Sequence, residues 1–269
     1  MIRIFFSQLA LAIEFLGIIP VPFFRGSIAS DEDIGRSSLF FPVVGFIYGM
    51  ILVLSSLIIA PFVSKEVCGI LICLISLILS RGLHIDGLSD TFDALGARCS
   101  RERKLEIMKD STVGPFGVTA IIFILLLKIF LSASLVGQGG LFYCSILIFP
   151  VIGRWSMVIA IYFGRSARDD GLGKIFFTYT KRIEIFWSSF ITVNILGLAV
   201  LVDNGMRFFS FRGFLFFMVM PIVLISSIFW LHMFTRSFGG LTGDNLGAIC
   251  EISEALSLLV FVVIGGVVS

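Results

Sequence analysis

A chain of 269 residues that is 58% hydrophobic and only 14% charged, with a mean hydropathy of +1.07, carries more apolar surface than a soluble domain of this length could bury. Its 20 basic and 18 acidic residues leave a net charge of +2, without the basic strip that nucleic-acid binding requires. The composition reads as a single integral membrane domain over 1–269, all-α, a polytopic helical bundle of about seven transmembrane helices.

The first apolar stretch, 4–23, contains Glu14 and ends in "IPVP", so spanning, re-entrant and interfacial placements all stay open. One early Arg with no small-residue cleavage site after it does not make a removed signal peptide. Six further stretches, 39–63, 67–83, 114–135, 141–163, 185–202 and 213–235, are long enough or nearly so to cross ~30 Å of hydrocarbon as helices. Residues 255–268 are too short to span unless their helix starts within "GDNLGAICEISEAL". Cysteines 68, 73, 99, 144 and 250 form no CxxC pair or metal-ligand spacing and read as free thiols.

Lys and Arg are divided 14 to 4 between the two sets of alternate connections, with Lys128 and Arg154 inside spans. That bias places connections 24–38, 81–113, 164–184 and 236–254 together on the cytoplasmic face. Two of these connections are rich in Gly and Asp.

The stretch "LHIDGLSDTFDALG" sets Asp86, Asp90 and Asp93 directly after an apolar run. On a helix, at about 100° per residue, the three fall on one face. Their mutual repulsion is relieved by a divalent cation, and oxygen-only ligands favour Mg²⁺ or Mn²⁺ over Zn²⁺. A solvated acidic helix end, with Asp86 as its cap, is the competing reading of the same spacing. Arg81, Arg98, Arg101, Arg103, Lys104 and Lys109 surround this face. Cations for phosphate oxygens beside carboxylates for a metal suit a nucleotide-diphosphate substrate, although topology and lipid headgroups also call for cations here.

Farther along, "ARDDGLGK" concentrates Arg168, Asp169, Asp170 and Lys174 around two glycines. "GGLTGDNLGAICE" opens the last apolar segment, where Gly243-Asp244 could cap the helix. Asp244 and Glu251, seven apart, would share a face and could add carboxylates to the first cluster. Glu14, Lys128 and Arg154 are charges inside apolar stretches, each costing ~2.5–3.5 kcal/mol to insert unless satisfied. Lys128 and Arg154 cannot neutralise one another, so each is expected to seek Glu14 or the aspartates, or to snorkel. His84 and His232 are too isolated to argue a zinc site.

Five blocks carry a family likeness: "FFPVVG", "GLHIDGLSDTFDALG", "RERKLEIMKDSTVGPFGV", "GRWSMV" with "ARDDGLGK", and "GGLTGDNLGAICEISE". Together they resemble the cobalamin synthases, adenosylcobinamide-GDP ribazoletransferases of late coenzyme B12 assembly in the bacterial inner membrane. Lys128 also falls where that family has a lysine. Gly17-Ile18 stands where the family has Thr-Arg before "IPVP", and the Arg that often follows "KDS" is absent.

The resemblance implies a Mg²⁺-dependent transferase that joins adenosylcobinamide-GDP to α-ribazole or its 5′-phosphate and releases GMP. It implies Mg²⁺ on Asp86, Asp90 and Asp93, and catalytic roles for these three and Asp244, one of which takes the proton from the ribazole 5′-hydroxyl. Arg98, Arg101, Arg103 and Lys109 become candidates to neutralise the leaving GMP. His84, Asp110, Ser111, Arg154, Arg168, Lys174, Thr242 and Asn245 complete the expected substrate contacts. The expected partners are these small molecules and the bilayer, with a homo-oligomer or a pathway-enzyme complex left open. A CDP-alcohol phosphotransferase-like enzyme and a transporter are the competing classes; the first lacks its paired-aspartate pattern here, and the second would place polar residues at mid-bilayer.

Reporters joined within 164–184 and within 136–140 are expected to read opposite sides of the membrane, the first cytoplasmic; the same side for both would overturn the charge-based topology.

Overall fold

The structure, a computed structural model, describes residues 2–20, 30–204 and 211–268. Among these the chain forms helices and one isolated β-bridge, between Ser166 and Leu241. In hydrocarbon no water satisfies a backbone N–H or C=O, so long apolar runs close their hydrogen bonds internally as helices. In chain order they are α1 (Ile2–Leu16), α2 (Asp31–Arg36), a 3₁₀ turn (Ser37–Phe40), α3 (Phe41–Ile59), α4 (Lys65–Leu79), α5 (Leu83–Gly96) and α6 (Arg101–Ile107). There follow α7 (Pro115–Leu135), α8 (Gly140–Phe163), α9 (Gly171–Tyr179), α10 (Arg182–Asn204), α11 (Phe211–Phe217), α12 (Val219–Phe238) and α13 (Gly243–Val268).

Among the described residues six stretches are long and apolar enough to cross a membrane: Asp31–Ile59, Pro115–Leu135, Gly140–Phe163, Arg182–Asp203, Gly213–Phe238 and Gly243–Val267. A seventh is reached if α4 and α5, bent by 90°, form one broken span. The expected span 67–83 is therefore not continuous. It ends at Leu79, and the chain turns through Arg81 and Gly82, both left-handed with φ of 56° and 68°. The last segment meets its condition, because its helix begins at Gly243. At 15 residues α1 reaches only about 22 Å and is too short to cross alone. The end of the first stretch, 21–23, lies outside the described residues, as do Arg25 and Arg207 of the basic connections.

The spans are not equivalent. In α8, 94% of the spanning window is buried, against 28% in α7 and α10 and 22% in Gly213–Phe238, so α8 is the axis of the bundle. The outer helices turn residues such as Phe123, Ile225 and Phe229 outward, as lipid-facing surfaces do. On α3, Gly45 and Gly49 lie four apart against Pro150 and Leu147 of α8, where a Cβ on either would come too close to the opposing backbone. This small-xxx-small contact lets two apolar helices pack where no hydrophobic driving force separates protein from lipid.

Charge balance inside the bundle corrects a sequence expectation. Lys128 of α7 and Arg154 of α8 pair neither with Glu14 nor with the aspartates of α5. Lys128 Nζ donates to Glu251 Oε2 at 3.0 Å and to Glu254 Oε2 at 2.5 Å, and Arg154 pairs with Glu254 Oε1. All four side chains are buried. Glu251 and Glu254, three residues apart, share one face of α13, so two cations from neighbouring helices meet two anions there. The Arg154 guanidinium also lies 5.0 Å from the Tyr48 ring, and Tyr48 donates to the carbonyls of Leu16 and Leu79, at 3.1 and 2.9 Å. Gly17 leaves the room that this tyrosine hydroxyl occupies.

The connections sort to two ends. At one end Ser38 meets Thr180 at 2.9 Å, Arg36 approaches Glu184 at 3.9 Å, Arg101 donates to the Ala167 carbonyl at 3.4 Å, and residues 165–167 pair with Leu241. The basic-rich connections therefore do lie together. At the other end Gly137 lies beside Lys65, Gly140 beside Asp203, and Gly265 beside Gln138.

Lys128→Met would leave two buried carboxylates sharing one arginine. We expect a loss of about 3–5 kcal/mol of stability, read as a lowered melting temperature of the protein in detergent, with most of it regained in Lys128→Met/Glu251→Gln. An unchanged single variant would contradict the network's role.

Candidate active site

The site is built where α5 crosses the start of α13. Gly87 of α5 lies against the backbone of Asp244, and Gly247 of α13 lies against the backbone of His84. A Cβ on either glycine would sit 2.7–3.1 Å from that backbone, so the reciprocal pair sets how closely the helices approach. Asn245, fully buried, ties the crossing by donating from Nδ2 to Thr91 Oγ1 at 3.0 Å. Thr242, not Gly243-Asp244, caps α13. Its hydroxyl accepts from the Asn245 amide at 3.3 Å, while Asn245 Oδ1 accepts from the Thr242 amide at 2.9 Å, a reciprocal box. Thr242 and Asn245, expected on substrate, are committed to this scaffold.

The crossing carries Asp244 to the acidic face of α5. Asp90 is the centre of the group: Asp86, Asp244 and Asp93 all act on it as like charges, and Arg168 as the opposing one. Asp86 is exposed and Asp90 half-buried. The expected single helix is present over Leu83–Gly96, yet the three aspartates of α5 do different work. Asp93 accepts from the Gly114 amide at 2.7 Å through Oδ2 and from the Gly117 amide at 2.8 Å through Oδ1. Those amides open α7, whose own N-terminal residue, Gly114, has no side chain to cap with. Asp93 thus supplies the missing cap from another helix, a role the sequence expectation of a metal ligand did not include. Glu251 is corrected, being held by Lys128 away from this group.

Two loops bring the cation. Ala167 donates to the Leu241 carbonyl at 2.8 Å and Leu241 to the Arg165 carbonyl at 2.7 Å, so "ARDDGLGK" and "GGLTGDN" are stitched together. Arg168 then reaches Asp244 at 3.7 Å and the Leu105 carbonyl at 3.5 Å, and its buried Nε has no hydrogen-bond partner. Arg168 is the sequence-predicted cation that the fold delivers to the acidic group.

The other predicted residues are placed as follows. Arg98, Lys109 and Ser111 are exposed on the loops flanking α6. Arg101 packs on Gly239 and bonds to Ala167, holding loops together. Arg103 is exposed and paired with Glu106 at 2.8 Å. Asp110 accepts from the amide and hydroxyl of Thr112, at 3.0 and 2.8 Å, which holds its carboxyl below the usual range. Lys174 bonds back to the Asp169 carbonyl at 2.6 Å. Arg154 and His84 are buried within the bundle and do not face the acidic group: Arg154 belongs to the ion-pair network, and His84 lies where α5 packs on α13. Sequence reasoning missed Glu254, Thr91 and Ser89. An acidic pair three apart in a chain with two unpaired intramembrane cations was a signal for Glu254; nothing local marked the other two.

Beside Asp86 opens a cleft of about 580 Å³ between α1, the α4–α5 corner and α7. The oxygen-only set Asp86, Asp90 and Asp244 suits a hard cation. Among the described residues no group of three His, Cys, Asp or Glu side chains is arranged to hold a metal ion by itself, so substrate oxygens would have to complete the shell. An open site using one or two carboxylates with substrate phosphates is the habit of Mg²⁺.

Fold and site define a polytopic membrane protein with an arginine-flanked carboxylate group at the end where its charged connections gather. The family model described as cobalamin-5-phosphate synthase matches residues 8–262, and the chain belongs to that family. A protein of Geotalea daltonii named adenosylcobinamide-GDP ribazoletransferase is 34% identical over 99% of both chains. One of the same name from Herpetosiphon aurantiacus is 36% identical over 94% of this chain and 95% of its own. No solved structure matches.

Asp93→Ala is expected to cost about 1–3 kcal/mol by orphaning two amides, and to speed proteolysis near 110–117. Asp90→Asn should leave that cleavage rate at the wild-type value. Equal effects would place both aspartates in the same role.

Proposed function

We propose that this chain is an adenosylcobinamide-GDP ribazoletransferase that joins adenosylcobinamide-GDP to α-ribazole or its 5′-phosphate and releases GMP in late coenzyme B12 assembly. The carrying observation is the group Asp86, Asp90 and Asp244 with Arg168 beside it, in a chain of the cobalamin-5-phosphate synthase family.

An acceptor phosphorylated at its 5′ oxygen has no 5′-hydroxyl to attack with. The nucleophile is therefore a hydroxyl on the ribose ring, in place of the 5′-hydroxyl expected from the sequence. Its oxygen bonds to the cobinamide-side phosphorus, the bond from that phosphorus to the bridging oxygen of GMP breaks, and the hydroxyl proton passes to a carboxylate. Asp90 is the best placed of the three to take it, since partial burial first, and then the like charges of Asp86, Asp244 and Asp93, favour its protonated form. Asp86 and Asp244 would hold Mg²⁺, which when bound supplies neutralisation of the diphosphate oxygens. Arg168, with its unpartnered Nε, is positioned for a phosphate oxygen of the same diphosphate. Exposed Arg98 and Lys109 on the loops flanking α6, with Arg103 on α6 itself, draw the anionic substrate to this end. The charge bias supports a cytoplasmic active face in the bacterial inner membrane. The transporter reading loses its main support, because Lys128 and Arg154 are sealed in ion pairs and line no path.

In membranes with Mg²⁺, GMP release from adenosylcobinamide-GDP should require α-ribazole or its 5′-phosphate, stop with chelator and return with added Mg²⁺. Asp90→Asn should lower kcat by about 10²–10⁴-fold. Near-normal turnover in Asp86→Asn, Asp90→Asn and Asp244→Asn alike would reject the site.

A further inference from the structure

The cleft beside Asp86 differs from the other large opening on α5. The latter, about 390 Å³ and walled by residues such as Leu88, Phe92, Ile124 and Trp230, is almost wholly apolar and offers nothing to a phosphate or a sugar. The 580 Å³ cleft has apolar walls, among them Phe15, Ile85 and Ile121, and one polar side formed by Arg81, Asp86 and Ser89. Ser89 lies three residues after Asp86 on the same side of α5, is 1% exposed, and its hydroxyl has no hydrogen-bond partner. The hydroxyl packs toward Gly117 of α7 at the floor of the cleft, where it is open to a bond from a group that enters.

Arg81 lines the same cleft and forms no ion pair among the described residues. Its backbone takes the left-handed φ of 56° that only the corner demands, with Arg81 N bonded to the Ile78 carbonyl and Gly82 N to the Leu77 carbonyl. The corner therefore fixes where this guanidinium is rooted.

We propose that this cleft is the acceptor subsite, in which Ser89 bonds a ribose hydroxyl and Arg81 receives the 5′-phosphate; the inference rests on the transferase reading above. Size and lining together favour the acceptor, because the guanosine of the donor is as small but has a polar base that the apolar walls do not satisfy. A cleft of this size accommodates a nucleoside-sized molecule with an apolar base, whereas a corrinoid bearing GDP is several times larger. The acceptor placed here touches Asp86, one turn before Asp90, so its ribose lies beside the carboxylates that activate it. The guanidinium makes the phosphorylated acceptor the better substrate.

The test uses the full chain in detergent, with steady-state kinetics on both substrates and calorimetric binding of α-ribazole 5′-phosphate without corrinoid. Ser89→Ala should raise KM for the acceptor roughly fivefold and leave KM for adenosylcobinamide-GDP within about twofold. Arg81→Gln should weaken the 5′-phosphate about tenfold and unphosphorylated α-ribazole less than about twofold. Ile121→Trp, which fills the cleft, should abolish acceptor binding while the melting temperature shows the protein folded. The proposal is overturned if all three bind the acceptor as wild type does, or if KM for the corrinoid moves instead. If acceptor binding follows these variants but wild type releases no GMP, the transferase reading fails and the subsite stands.

Discussion

The structure depends on the way α13 is anchored. Glu251 and Glu254 bring two negative charges into the apolar interior, and Lys128 of α7 and Arg154 of α8 bring two positive ones. None of the four is tolerable alone at that depth, so the three helices can pack only in an arrangement that unites them. This fixes α13 between the axial helix and α7. Two turns toward its start, the same helix carries Gly247, Asn245 and Asp244 to α5. The acidic site is an outcome of that anchoring, not an independent feature.

The same logic separates the aspartates by work. Each oxygen of Asp93 accepts a backbone amide from α7, so this carboxylate is held in place by the helix it caps. Asp86 and Asp90 have no such commitment in the hydrogen-bond pattern, and Asp244 is shared between Thr242 and Arg168 at 3.2 and 3.7 Å. The site thus combines a rigid floor, made of capped helix ends and interlocked loops, with carboxylates left open on one side. Rigidity beneath and openness above suit a reaction in which position and charge supply most of the acceleration.

Several departures from expectation share one cause. The span 67–83 ends at Leu79 because two consecutive left-handed residues turn the chain by 90°, and a non-glycine in that conformation leaves no mark in hydropathy. Thr242 caps α13 in place of Gly243-Asp244 because the reciprocal partner, Asn245, is three residues on, a spacing that was legible but unused. The resemblance makes Arg154 a substrate contact, whereas its partner in the fold is Glu254, 100 residues away. Lys128 meets Glu251 and Glu254 across 123 and 126 residues. Helical periodicity describes which face a residue occupies, not which helix that face meets.

Composition and charge bias, read from the residues alone, determined that the chain is a polytopic helical membrane protein whose basic-rich connections share one end. Helical spacing determined that Asp86, Asp90 and Asp93 lie on one helix. Those properties are local or additive, since transfer free energy sums residue by residue and a helix repeats every 3.6 residues. Tertiary structure alone decided that Asp93 caps α7, that Asp244 joins Asp90, that the intramembrane charges cancel on α13, and that Ser89 and Arg81 face one cleft. Each of these is a pairing between segments far apart in the chain, and only the packing of helices against one another selects among pairings that the sequence leaves equally open.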